Sequence, residues 1–307
     1  MTITTSISEK TLESVRGVLE SHVARGYASG VVAIVGHGEN IHVVTVGTKA
    51  LGAVDPMRRD TIFRITSMTK PITAAAAMML IEKGKLRLDE PVDRLLPELA
   101  DRRVLKRIDG LLDDTTPAKR PITVEDVLSF RLGLGVLMAP PGAYPIQHAI
   151  TEVGLMGFGP PDPSVPYDPD EWIRRVGTLP LMAHPGEQWM YTAGSNVLGV
   201  LIARASGRSL PEFLRERIFE PLGMKDTAFF VPAAKLDRLP ACYRPTAEGS
   251  RFMTKPPTAR GVSRRRFLQE MRAWSRPSTT TSPSRACYPA KATSAGAGYY
   301  PRPRSRP

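Results

Sequence analysis

The segment Phe63-Arg-Ile-Thr-Ser-Met-Thr-Lys-Pro71 holds a serine and a lysine three residues apart, where a small-residue apolar helix is expected to begin. Positions i and i+3 share a helix face, so the Ser67 hydroxyl and the Lys70 amine can meet. A serine hydroxyl becomes a nucleophile at neutral pH only beside a base. A lysine that is desolvated and near the positive end of a helix has its ammonium disfavoured, and can then act as that base. A backbone N–H at the same terminus can take up a developing oxyanion. The chemistry implied is attack of Ser67 on an acyl carbon. Ser-x-x-Lys by itself is also the pattern of an N-cap serine followed by a solvated lysine, so its surroundings must decide.

Other constellations give nothing to compete with it. There is no Gly-x-Ser-x-Gly elbow of the α/β-hydrolase kind. The histidines His22, His37, His42, His148 and His184 form no His-Glu-x-x-His or paired ligand spacing, so no metal is expected. Gly133-Leu-Gly135 and Gly157-Phe-Gly159 are followed by the wrong residues for a dinucleotide or phosphate loop, and no cofactor is expected.

The elements that would position Ser67 are legible as alternating helices and strands. Lys10 to Arg25, with Leu12, Val15, Val18, Leu19 and Val23, fits an amphipathic helix. Gly30–Gly36 and Ile41–Gly47 are β-branched runs joined by His37-Gly-Glu-Asn40 as a hairpin. A helix is expected from about Ser67 to Lys83 with Gly84 closing it, and another from Pro121 to Leu128 with Thr123 as N-cap. Residues 139–170, dense in Pro and Gly, read as a long irregular loop. Asn196 to Ala205 and Leu210 to Phe219 complete the helices.

Length and composition fit one large domain or two small ones: 307 residues, 42% hydrophobic and 23% charged. No apolar run approaches the ~20 residues that span a bilayer, so no membrane span is expected. The start, Met1 to Lys10, lacks the basic and apolar regions of a secretory signal. Two cysteines, Cys242 and Cys287, make no disulfide framework, and the location expected is cytoplasmic. The net charge of +12 comes from one region. Residues 251–307 hold 13 Lys and Arg against one acid, Glu270, and the preceding 250 residues are neutral with 29 of each sign.

Beyond the serine and lysine, three stretches resemble one family in order and spacing. They are Arg64 to Leu99, His184-Pro-Gly-Glu-Gln-Trp-Met-Tyr-Thr-Ala-Gly-Ser-Asn-Val-Leu-Gly199, and Phe219-Glu-Pro-Leu-Gly-Met-Lys-Asp-Thr227. The family is the serine β-lactamase-like superfamily: class C β-lactamases, D-Ala-D-Ala carboxypeptidases and family VIII esterases. The resemblance runs from about residue 8 to 245. It implies Ser67 as acyl-forming nucleophile, Lys70 as its base, and Tyr191 as the phenol that carries a proton to the leaving group. Trp189 is expected to pack rather than to do chemistry.

Two departures bear on substrate. The family's Tyr-x-Asn is here Tyr191-Thr-Ala193, and Asn196 is no clear substitute for the missing amide. Where many relatives have His-Thr-Ser-Gly-Leu, this chain has Phe130-Arg-Leu-Gly-Leu134. The lost amide leans the reading towards esters.

The resemblance also implies a late Lys/His/Trp-x-Gly strand, and no such motif follows residue 245. Regrouping the codons of Met271 to Tyr288 by one base permits Ala-Gly-Leu-Val-Ser-Thr-Val-Asp-Asp-Tyr-Leu-Ala-Phe-Ser-Arg-Met-Leu. That string is similar to the family's Gly-Leu-x-Ser-Thr-x-Asp-Asp-Tyr helix segment. Residues 251–307 are therefore expected to be a basic, disordered or out-of-frame tail, with the shift near Arg251–Met253.

The expected architecture is α/β in the α+β sense: a β-lactamase/transpeptidase-like antiparallel sheet flanked by helices, with a helical insertion between about 90 and 185. Residues 1–250 form that domain and its C-terminal strands are missing. The expected activity is a serine hydrolase acting through an acyl-enzyme, foremost a carboxylesterase on short acyl esters. The alternatives are β-lactamase or D-Ala-D-Ala carboxypeptidase activity, or a catalytically impaired remnant lacking the third motif. The partner expected is a small-molecule ester or amide; Arg264-Arg-Arg266 and the C-terminal arginines are not expected to bind nucleic acid, and the oligomeric state is open.

Overall fold

Two β-branched runs pair antiparallel as β1 (Gly30–His37) and β2 (Asn40–Gly47), from Gly30 opposite Gly47 to His37 opposite Asn40. Only Gly38 and Glu39 remain for the turn, and Gly38 takes the left-handed φ of 59° needed at its first position. The computed structural model describes residues 7–155, 168–246 and 249–254. Helix α1 (Glu9–Ala24), capped by the Ser8 hydroxyl accepting from the Thr11 N–H, packs on β2. Its apolar face is half-buried at Leu12, Val15, Leu19 and Val23, while Val18 stays exposed, because a single hairpin covers only part of a helix.

The core is helical. Helices α2 (Thr69–Glu82) and α6 (Ala193–Ser206) pack against each other, with Ala76 and Ala77 meeting a shell that includes Val197 and Leu201, all fully buried or nearly so. The short α3 (Val124–Leu128) packs on α6, and its entry is set by a capping box in which Thr123 and Asp126 satisfy each other's backbone N–H. Each fully buried leucine of this core, such as Leu96, Leu132 or Leu134, contributes roughly 1.5–3 kcal/mol of transfer free energy.

The region expected to be a helical insertion contains α3, α4 (Pro145–Glu152) and α5 (Pro169–Gly177). α4 corrects the irregular loop expected there. Pro145 sits in its first turn, the Tyr144 N–H donates to Gln147 Oε1, and Ile146 and Ile150 are buried, so burial outweighs the surrounding Pro and Gly. Residues 156–167 of that stretch lie outside the described residues. The insertion also holds a small antiparallel pair that patterning did not reveal, β3 (Arg103–Leu105) with β4 (Thr115–Pro117). Its other flank is bonded to Leu181, which exchanges backbone hydrogen bonds with Arg103 and Leu105. Next to it the buried Arg102 guanidinium donates to the Gly177 and Leu179 carbonyls at the end of α5, where the helix dipole favours a cation. Burial pushes this guanidinium down to about 10.

α7 (Leu210–Leu214) leads into a wider π-type turn, Arg215–Phe219. The chain then returns to the hairpin layer: the Ile62 N–H donates to Arg238 O and the Ala241 N–H to Lys49 O. Strands β5 (Cys242–Thr246) and β6 (Gly249–Thr254) follow, so residues 251–254 of the expected tail belong to β6. The remainder of 251–307, including the shifted-frame segment and Arg264–Arg266, lies outside the described residues. Among the described residues the strands form three two-stranded antiparallel pairs, each between neighbours in sequence, beside a predominantly helical core. This is an α+β arrangement. No helix among the described residues is long and apolar enough to cross a membrane.

Candidate active site

Ser67 is the middle residue of a 3-10 turn, Thr66–Met68, that runs directly into α2. Thr66 enters this turn with φ 40°, a left-handed value that costs a β-branched residue about 1–3 kcal/mol. One turn on, Lys70 is half-buried and its Nζ donates to Ser67 Oγ at 2.8 Å. The i, i+3 spacing thus brings the two groups together as expected from sequence.

Tyr191 arrives from the other end of the core. Residues 130–136 and 182–191 run side by side, with the Met182 N–H donating to Gly133 O, Gly186 to Arg131 O, Met190 to Phe130 O, and Val136 back to Tyr191 O, all at 2.8 Å. Two glycines permit this approach. A Cβ on Gly135 would lie 2.6 Å from Met190 Cβ, and one on Gly133, whose φ is 93°, would lie 2.3 Å from the Ala183 carbonyl oxygen. Immediately after Tyr191 the chain enters α6 through Thr192, held at φ 90° and ψ −63°. Among the described residues, non-glycine residues with left-handed φ are Thr66, Asp101, Phe130 and Thr192, and three of these four border the site. Strain of this kind persists only where the surrounding packing over-determines it.

Packing of α2 on α6 brings their two N-terminal ends to one point. Tyr191 Oη lies 2.7 Å from Ser67 Oγ, and Lys70 Nζ lies 4.6 Å from the centre of the Tyr191 ring. The Ser67 hydroxyl therefore contacts an amine and a phenol at once. Hydrogen bonds to Ser67 and then to Lys70, with the Lys70 charge adding to them, hold the Tyr191 phenol below its ordinary value near 10. Two helix N-termini add partial positive charge on the same side, which favours an alkoxide, a phenolate or an oxyanion there. Ala193, standing where the family's Tyr-x-Asn pattern has its amide, is fully buried as the first residue of α6.

Two residues around this trio were not singled out for it by sequence. Phe130 lies nearly parallel to Tyr191, with ring centroids 6.2 Å apart and planes 16° apart. Its position in the segment that replaces His-Thr-Ser-Gly-Leu was the available signal. Trp189, expected to pack, is instead 62% exposed. It packs on Tyr191 and Phe130 at centroid distances of 5.9 and 6.2 Å, with ring planes inclined by 35° and 45°.

The Beta-lactamase family model matches residues 15–301, a range that includes Ser67, Lys70 and Tyr191. Protein Rv1367c of Mycobacterium tuberculosis is 40% identical over 220 residues, covering 71% of this chain and 52% of that protein. Esterase EstB of Burkholderia gladioli is 35% identical over 201 residues, covering 65% of this chain and 47% of that protein. The chain spans about half the length of the curated relatives it matches. Among solved structures, EstCE1, described as a hydrolase with promiscuous acyltransferase activity, superposes with a TM-score of 0.65 at 28% identity. That superposition covers 80% of this chain and 59% of the other. A Ser-x-x-Lys helix start joined to a distant tyrosine, on this fold and with this family match along most of its length, leads to one assignment: the chain belongs to the Beta-lactamase family.

Proposed function

We propose that this protein is a serine hydrolase working through an acyl-enzyme, and that its substrates are carboxylic esters with short acyl groups. The observation that carries the reading is the Ser67 hydroxyl hydrogen-bonded to both Lys70 and Tyr191. Ser67 Oγ attacks the ester carbonyl carbon while its proton is taken up by the Lys70–Tyr191 pair hydrogen-bonded to it. Tyr191 relays that proton to the leaving oxygen, the C–O bond breaks, and the alcohol departs with the acyl group left on Ser67. A water then attacks the acyl carbon, the same groups move its proton back to Ser67 Oγ, and the carboxylic acid is released. The depressed pKa of the phenol supports its part, since a proton is handed on most easily by a group whose affinity lies near the working pH.

The printed names of the relatives, an esterase and a hydrolase with acyltransferase activity, agree with ester chemistry. Absence of an amide at Ala193 argues against β-lactam and D-Ala-D-Ala hydrolysis. The two cysteines support a reducing, cytoplasmic setting. Residues 1–250 are taken as the hydrolase domain, extended to Thr254 by β6, and the remainder of 251–307 as a basic segment.

Intact-mass spectrometry after treatment with a fluorophosphonate tests the reading. One adduct that vanishes in Ser67→Ala supports it, and ester and β-lactam panels then rank the substrates. A folded chain that forms no adduct overturns it in favour of a catalytically impaired remnant, in which the acylation residues are assembled but do not react.

A further inference from the structure

Beside the nucleophile stands a continuous wall of three rings. Phe130, Tyr191 and Trp189 touch pairwise, with centroid separations of 5.9 to 6.2 Å. The inner member, Phe130, is fixed by a left-handed backbone and by accepting the Met190 N–H on its carbonyl. The outer member, Trp189, is 62% exposed, so it adds little to the core while presenting a large apolar surface beside Tyr191, the phenol bonded to Ser67. A rigid aromatic surface loses little conformational entropy when something covers it, which makes it an effective binding face.

We infer that Trp189, backed by Phe130, holds the alcohol portion of the ester and makes this site selective for aromatic alcohols. The inference rests on the esterase reading above. Its direction follows from proton delivery. The Tyr191 hydroxyl lies 2.7 Å from Ser67 Oγ, and to protonate the leaving oxygen it must also come within hydrogen-bond reach of that oxygen. The alcohol side of the scissile bond therefore faces Tyr191, and the surface that continues from Tyr191 is the Trp189 ring. A benzyl group on that side can pack against the exposed indole, whereas an ethyl group covers much less of it.

Benzyl acetate and ethyl acetate have leaving alcohols of similar basicity and differ mainly in apolar area. Trp189→Ala is expected to lower the benzyl-to-ethyl ratio of kcat/KM about tenfold, the size of one aromatic pair. Trp189→Phe is expected to retain most of the ratio. An unchanged ratio in Trp189→Ala overturns the inference.

A second measurement does not need turnover. Ser67→Ala is titrated with each ester by ligand-observed NMR; benzyl acetate is expected to bind more tightly, with the difference lost when Trp189→Ala is added. Equal binding of the two esters overturns the wall. Failure of the esterase reading shows separately, as the absence of a fluorophosphonate adduct on the unmodified chain.

Discussion

The hydroxyl oxygens of Ser67 and Tyr191 lie 2.7 Å apart across 124 residues of sequence. Each stands at the entrance to a 14-residue helix, and the contact exists because α2 and α6 share the centre of the core. General acid–base participation of this kind contributes about 10²- to 10⁴-fold. Tyr191→Phe keeps the ring and its stacking on Phe130 and removes only the hydroxyl. Its fluorophosphonate labelling and ester turnover are expected to fall by that factor, with the melting temperature little changed. Near-normal turnover would remove Tyr191 from the mechanism.

The same phenol should be visible spectroscopically. Its pKa is lowered by hydrogen bonds to Ser67 and Lys70, so the tyrosinate forms at lower pH than in free tyrosine. Ultraviolet titration is expected to reveal a step below about pH 10, the ordinary tyrosine value. Tyr191→Phe should lack the step, and Ser67→Ala and Lys70→Ala should each move it upward. A step that stays in place in both variants would refute the stated cause.

Gly135 is where backbone meets backbone. A methyl group there would lie 2.6 Å from Met190 Cβ and 2.7 Å from the Met190 carbonyl carbon, so Gly135→Ala must displace the residue before Tyr191. Overpacking of this sort costs about 1–3 kcal/mol. Both the unfolding free energy and the labelling rate are expected to drop. Denaturant unfolding alongside the adduct assay checks this, and loss of neither would mean that the two segments separate freely.

Arg204 ties α6 to its neighbours through a bidentate pair with Glu98 and further bonds to Asp170 and the Leu95 carbonyl. Burial by itself would raise the Glu98 carboxyl, but the hydrogen bonds from Arg204, a backbone hydrogen bond and the Arg204 charge together outweigh it and hold the group below its ordinary value. A carboxyl depressed in the folded state contributes stability above its unfolded pKa, near 4.3, and loses it as pH falls through the folded value. Arg204→Ala is expected to cost about 2 kcal/mol at neutral pH, the range for hydrogen bonds to charged groups. It should also flatten the loss of stability as pH falls below about 4. Urea unfolding at neutral and acidic pH measures both effects.

The basic segment makes a prediction at the level of the gene. If residues 251–307 are read out of frame, the coding sequence from Met271 to Tyr288, regrouped by one base, must spell the Ala-Gly-Leu-Val-Ser-Thr-Val-Asp-Asp-Tyr string. Nucleotide sequencing decides it, and a single disallowed codon in that run would end the idea. The frame-restored protein is then expected to label faster with the fluorophosphonate.

Some of this protein is written in short stretches of sequence, because the interactions responsible are local. The cap at Thr123 acts within three residues, the Gly38 turn within two, and the Ser67–Lys70 pairing within one helical turn. These features are legible without a fold, since backbone geometry alone brings the partners together. Tyr191 is different: its role followed from resemblance, and nothing in its own neighbourhood indicates that it meets Ser67.

Tertiary packing alone decided the rest. Leu181 joins the β3 flank because the long insertion folds back on itself, and a three-residue strand carries too little alternation to announce that pairing. α4 forms amid Pro and Gly because Ile146 and Ile150 find a core to enter. Trp189 is exposed, and Phe130 is stacked on Tyr191, for reasons that lie in other parts of the chain. A side chain's burial depends on which surfaces the fold lays against it, and those surfaces come from residues far away in sequence.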